Sequence, residues 1–155
     1  MATQKLQVST AIAVITSNDA NVPFPALSQS GTNTSTTANR LVNSSADFVT
    51  ANVTTGDIVY NITDSTAATV VEVLSATTLK LNADIFTATS KAYAVYKGGE
   101  NDGCVLYIGV TGNLRVTTAG GNDVTFNAVP VGFFPVQVLK VWSSGTGASG
   151  IVGLF

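Results

Sequence analysis

The chain is expected to fold as an all-β protein. Two observations carry that expectation. No stretch of the 155 residues shows helical periodicity. Short runs rich in threonine and valine recur instead, bounded by Gly, Asn, Asp and Ser. β-Branched side chains lose χ1 freedom in a helix and pack well on a pleated surface, so such runs favour strands. A third observation concerns organisation: two polar joints, Ser28–Asn39 and Lys97–Gly103, divide the apolar pattern. They suggest a discontinuous β-sandwich or barrel built from residues 1–30 and 99–155. A small β-barrel-like module, 31–98, is inserted between the two parts.

In chain order, strands are expected near Ala11–Thr16, Asp57–Asn61, Ala68–Leu74, Thr78–Leu81 and Ala92–Lys97. Further strands follow near Val105–Val110, Leu114–Thr118, Val124–Asn127, Pro135–Ser143 and Gly150–Phe155. Thr111-Gly112-Asn113 reads as a hairpin turn. Ala119-Gly120-Gly121-Asn122-Asp123 reads as a second turn, Ser75-Ala76 as a tight bend and Pro130-Val131-Gly132 as a further reversal. The segment Ser28–Asn39, almost without apolar residues, reads as a surface loop. Pro135–Ser143 is apolar at both parities, as in a strand buried on two faces.

Composition excludes several chemistries. There is no histidine, so Ser-His-Asp and Cys-His catalysis and histidine-ligated metal sites are absent. The single cysteine, Cys104, permits no internal disulfide and no thiolate metal cluster, and reads as a small buried hydrophobe. Seven Lys+Arg against nine Asp+Glu give a net charge of −2, which is no footprint for nucleic acid. No apolar run approaches the roughly 20 residues of a membrane span, and Met1–Lys5 does not open a secretion signal. Only 10% of residues are charged, against about 25% in an average domain. Such a chain must hide apolar surface beyond its own core, and charge-depleted subunit interfaces are the natural place.

The remaining motifs have plain readings. Gly145-Thr-Gly-Ala-Ser-Gly150 matches the spacing of a dinucleotide loop, but a strand follows it where a helix is required. It is a turn, and no cofactor is expected. The carboxylates are scattered. The pair Glu100/Asp102 is a solvated loop that offers a weak cation site at most. Sequons opening at Asn33, Asn43, Asn52 and Asn61 arise by chance in an Asn- and Thr-rich chain. The aromatic and terminal apolar set Phe133, Phe134, Trp142, Leu154 and Phe155 is the candidate interface.

Three stretches resemble small structural proteins of tailed bacteriophages, cyanophage-like ones included. They are Ala11–Thr16, Cys104–Phe126 with its Leu106-Tyr107-Ile108-Gly109 element, and Val129–Phe155. A fourth, Asp47–Val70, is similar to a separate β module of phage virion and tail-associated proteins, and here it interrupts the first pattern. The resemblance implies a non-enzymatic virion component. The expected type is a capsid decoration, or cement, protein assembled in the host cytoplasm. It would bind the major capsid protein as a homo-oligomer such as a trimer. Head-fibre, neck, tail-spike and carbohydrate- or receptor-binding roles are the alternatives.

Overall fold

The structure is a computed structural model that describes residues 8–98 and 102–155. The fold is all-β, with twelve strands in two six-stranded antiparallel sheets among the described residues. The strands are β1 (Ala11–Ala13), β2 (Leu27–Thr32), β3 (Arg40–Val42), β4 (Ile58–Asn61), β5 (Thr66–Ser75), β6 (Thr78–Leu81), β7 (Ala92–Tyr96), β8 (Cys104–Ile108), β9 (Gly112–Thr118), β10 (Asp123–Val129), β11 (Gly132–Val141) and β12 (Val152–Leu154). The chain forms two compact units, Met1–Pro25 with Glu100–Phe155, and Ala26–Gly99.

Unit 1 carries the sheet β1-β12-β8-β11-β9-β10. Unit 2 carries β2-β7-β4-β5-β6-β3. Each sheet has one ten-residue strand shared between its two halves. In unit 2, β5 pairs with β4 through Thr66–Thr69 and with β6 from Val70 onward, across two register shifts. In unit 1, β11 pairs with β8 as far as Val138 and with β9 from Val138 to Val141, again across two shifts. A bulge bends the strand and raises its twist, which lets one strand turn the sheet. Pro135 lies in the first shift of β11, where a missing N–H removes no ladder bond.

The core of unit 2 joins Leu41, Phe48, Val59, Val70, Leu79 and Phe86 with Tyr93 and Val95. Buried amides hold its loops. Asn33 donates to the carbonyls of Ser35 and Ala88 and accepts from the Lys91 N–H, tying the 85–91 loop to the end of β2. Thr34 N–H donates to the Val42 carbonyl at 2.7 Å, so the two edge strands of the curled sheet meet at a seam. In unit 1 the buried set includes Ile12, Leu106, Ile108, Leu114, Val138 and Ile151.

Five expectations are corrected. The stretch Ser28–Asn39 is not a loop throughout, because Leu27–Thr32 is β2, and β3 follows at Arg40. Strand β2 is polar because it is a half-exposed edge strand held by its backbone ladder to β7. A boundary at residue 31 would cut through β2; unit 2 begins at Ala26. Thr111-Gly112-Asn113 closes no hairpin, since Gly112 and Asn113 lie in β9 and β8 pairs with β11 and β12. Glycine serves at 112 through close approach, as a Cβ there would stand 2.4 Å from the Ala148 nitrogen. Pro130-Val131 joins two strands that pair with β9 and not with each other, so it makes no hairpin reversal either. Finally, β11 is not buried on two faces: within Pro135–Val141 only Val138 and Val141 are buried, and the register shift is what puts both inside.

The turns at Ala119–Asn122, between β9 and β10, and at Ala76-Thr77, between β5 and β6, do close hairpins. β10 ends at a bulge where Ala128 has φ 51°, a left-handed conformation that costs an L-residue roughly 1–2 kcal/mol. Ala128→Gly should therefore stabilise unit 1 by about 0.5–1 kcal/mol, after allowing for the larger entropy of unfolded glycine. Denaturant unfolding checks this; a destabilised variant would contradict it.

Candidate interaction surface

Cross-strand register places eight side chains on one outward face of β1, β12, β8 and the first half of β11. One row runs Ala13–Val152–Tyr107–Phe133 and the next runs Ala11–Leu154–Val105, with Pro135 on β11 beside them. Every one is apolar or aromatic and none is charged. The alternating residues Ile12, Gly153, Leu106 and Phe134 turn inward. Gly153 fits there because a Cβ would stand 3.3 Å from the Cys104 Sγ and 3.4 Å from Val22 and Phe155. Tyr107 and Phe133 are 38% and 78% exposed and meet edge to face, with ring centroids 5.9 Å apart.

Beyond the bulge of β11 the same outward face changes character. Lys140, Trp142, Arg115, Thr117 and Asp123 gather there. The Trp142 ring has the Arg115 guanidinium carbon 4.3 Å and the Lys140 Nζ 4.0 Å from its centroid. Its indole N–H donates to the Thr117 hydroxyl at 2.9 Å, and that hydroxyl donates to Asp123 at 2.6 Å. Lys140 Nζ also donates to the Asn18 carbonyl. Trp142 is thus engaged on its ring and at its nitrogen within its own unit, and it presents no bare stacking platform of the kind a sugar cleft uses.

The five residues of the expected interface therefore separate. Phe133 and Leu154 lie on the apolar face. Phe134 and Phe155 do not: they point into the core, 7% and 3% exposed, against Phe126 and Phe24 at centroid distances of 4.9 and 5.5 Å. Adjacent residues of a strand face opposite sides, so Phe133 and Phe134 cannot share a surface. Trp142 belongs to the charged half. The other six residues of the face, Ala11, Ala13, Val105, Tyr107, Pro135 and Val152, lie outside the expected set. For Val105 and Tyr107 the signal is the apolar character of Cys104–Ile108 at both parities, as in Pro135–Ser143.

The other candidates resolve simply. Cys104 is buried, and burial pushes its thiol up to about 12. Among the described residues no group of three or more acidic or cysteine side chains could hold a metal ion. Asp102 is exposed, while Glu100 lies outside the described residues. No described helix is long and apolar enough to cross a membrane.

The titratable groups give a pH prediction. The Thr50 backbone N–H and hydroxyl hold the Asp47 carboxyl below its ordinary value, and Lys91 followed by Asn61 does the same for Asp64. A depressed carboxylate stabilises the fold above the ordinary carboxylate range, and that contribution is lost as pH falls through the folded value. Burial raises Tyr93 as it raises Cys104. Raised groups stabilise below the ordinary phenol and thiol ranges, and lose their contribution as pH rises. Lys140 acts oppositely: burial lowers it, which makes the alkaline fall shallower. With no histidine to titrate between these limbs, the thermal midpoint should be flat over about pH 5–8 and fall on both sides. A step near neutral pH would contradict this.

No protein-family model, curated protein or solved structure matches the chain.

Proposed function

We infer that this chain is a non-enzymatic structural protein that seats its apolar β1-β12-β8-β11 face on an assembled protein shell. The observation that carries the reading is the row of paired apolar side chains across four strands, with no charge among them. A monomer that exposes Phe133 at 78% leaves its most exposed large apolar side chain without a use in its own fold. The phage-like stretches supply the particular partner. The shell is the major capsid protein of a tailed phage, and the role is capsid decoration at the virion surface.

Magnitudes favour repetition over a single tight contact. Four strands about 4.8 Å apart, in two rows, offer roughly 300 Å² of apolar surface. At about 25 cal/mol per Å² that is worth roughly 7 kcal/mol, comparable to the association cost of about 4–15 kcal/mol. One copy alone binds weakly, whereas copies linked to one another hold through high effective concentration. The scarcity of charge makes such binding tolerant of salt.

Heads of the parent phage, purified free of tails, test the reading through the copy number measured by quantitative mass spectrometry. Many copies per head are expected. A handful, all partitioning with tails, would place the chain in a neck, fibre or spike instead.

A further inference from the structure

We propose that the outer edge of β10 pairs with β10 of a second copy, antiparallel across a two-fold axis at Thr125. At seven residues β10 is the longest edge strand described, and its only described strand partner is β9. Which of its backbone groups face outward follows from the hairpin. Thr118 N–H donates to the Asn122 carbonyl at 2.9 Å, so the hydrogen-bonded positions alternate from there. Val124 and Phe126 bond Val116 and Leu114 of β9. The N–H and C=O groups of Asp123 and Thr125 therefore point away from the sheet.

That edge lacks the usual protections. Residues 123–126 contain no lysine, no proline and no inward charge, and the bulge falls only at the end of the strand, between Phe126 and Val129. The edges of unit 2 are treated differently, since the Thr34–Val42 bond brings β2 and β3 together. What an open edge accepts is another strand, and β10 suits a copy of itself. Pairing centred on Thr125 sets threonine opposite threonine and Asp123 opposite Asn127, so no like charges meet. The central Thr125 pair alone exchanges about two backbone hydrogen bonds. A two-fold contact of this kind is self-complementary and closes at two copies. The pairing does not depend on what the apolar face seats on.

The test is the mass of the full chain in solution, by light scattering at about 50 μM. Twice the 15.8 kDa chain mass is expected. Thr125→Pro removes an outward N–H and no bond to β9, and should return the single-chain mass with an unchanged β spectrum. Should that variant fail to fold, air oxidation of Thr125→Cys decides. It should give a disulfide-linked dimer, whereas Val124→Cys, which faces the other way, should not, and buried Cys104 takes no part. Phe133→Asp should leave the dimer intact. A native chain that stays single at about 1 mM overturns the proposal, as does a dimer that survives Thr125→Pro, a dimer lost in Phe133→Asp, or no cross-link through Cys at 125.

Discussion

Phe133→Asp is expected to lower occupancy of tail-free heads about a hundredfold while moving the thermal midpoint by no more than about 2 °C. The two effects separate because of where the side chain lies. At 78% exposure Phe133 contributes little to the folded unit, and exposed substitutions usually fall within about 0.5 kcal/mol. Seated on a shell, the same position is dehydrated, and a carboxylate placed there lacks a partner. A loss of about 3 kcal/mol, typical of a buried unpaired polar group, corresponds to the hundredfold change. Phe134→Asp is the instructive contrast. It places the charge against Phe126 inside unit 1, so it should unfold that unit before binding can be read. Equal loss of stability and of binding in Phe133→Asp would contradict the assignment of this face.

Gly98→Ala should lower the thermal midpoint of unit 2 by about 20 °C. A Cβ at position 98 would stand 1.9 Å from the Gly56 carbonyl oxygen and 2.9 Å from its carbon, both backbone atoms that cannot swing aside. The chain after β7 would have to leave β4, and the contacts around Asp57 would go with it. Asp57 is 3% exposed on its side chain and accepts from the Thr54 N–H at 3.0 Å, the Lys97 ammonium at 3.0 Å and the Gly98 N–H at 3.3 Å. Lys97 also donates to the Asn52 carbonyl. Overpacking typically costs about 1–3 kcal/mol, and a buried charge stripped of its partners about 3–5 kcal/mol. Taking about 4 kcal/mol for the sum, after partial relaxation, and roughly 5 °C per kcal/mol for a unit of this size gives the expected shift. A midpoint within about 2 °C of the native value would show that the backbone moves apart cheaply. The two ends of unit 2 are also adjacent. The Lys97 N–H donates to the Ala26 carbonyl at 3.0 Å, so the first and last strands of unit 2 are bonded where the chain enters and leaves.

How much of this was legible from residues alone varies with what holds each element. Strands with buried β-branched or aromatic residues, such as Ile58–Asn61 and Ala92–Tyr96, announce themselves because the same side chains that favour a strand also fill the core. Strand β2, Leu-Ser-Gln-Ser-Gly-Thr, does not, since its ladder to β7 needs only backbone groups. The false hairpin at Thr111–Asn113 has a related cause. Glycine and asparagine mark a turn when φ must be positive, but Gly112 is required by the 145–150 loop crossing over it. On the surface, the sequence singled out Phe133, Phe134, Trp142, Leu154 and Phe155 as one set. Their division between apolar face, core and charged half depends on parity and on the bulges of β11, which no periodicity reveals. Charge depletion pointed to hidden interfaces, and the register of β1, β12, β8 and β11 identifies the surface that would supply one.

Hydroxyl-radical footprinting of the protein free and on intact heads tests that surface most directly. Tyr107 and Phe133 should label readily in the free protein and become protected on the head, while half-buried Trp142 changes little. Undiminished labelling of Tyr107 and Phe133 on occupied heads, with protection appearing around Arg115 and Trp142, would contradict the account.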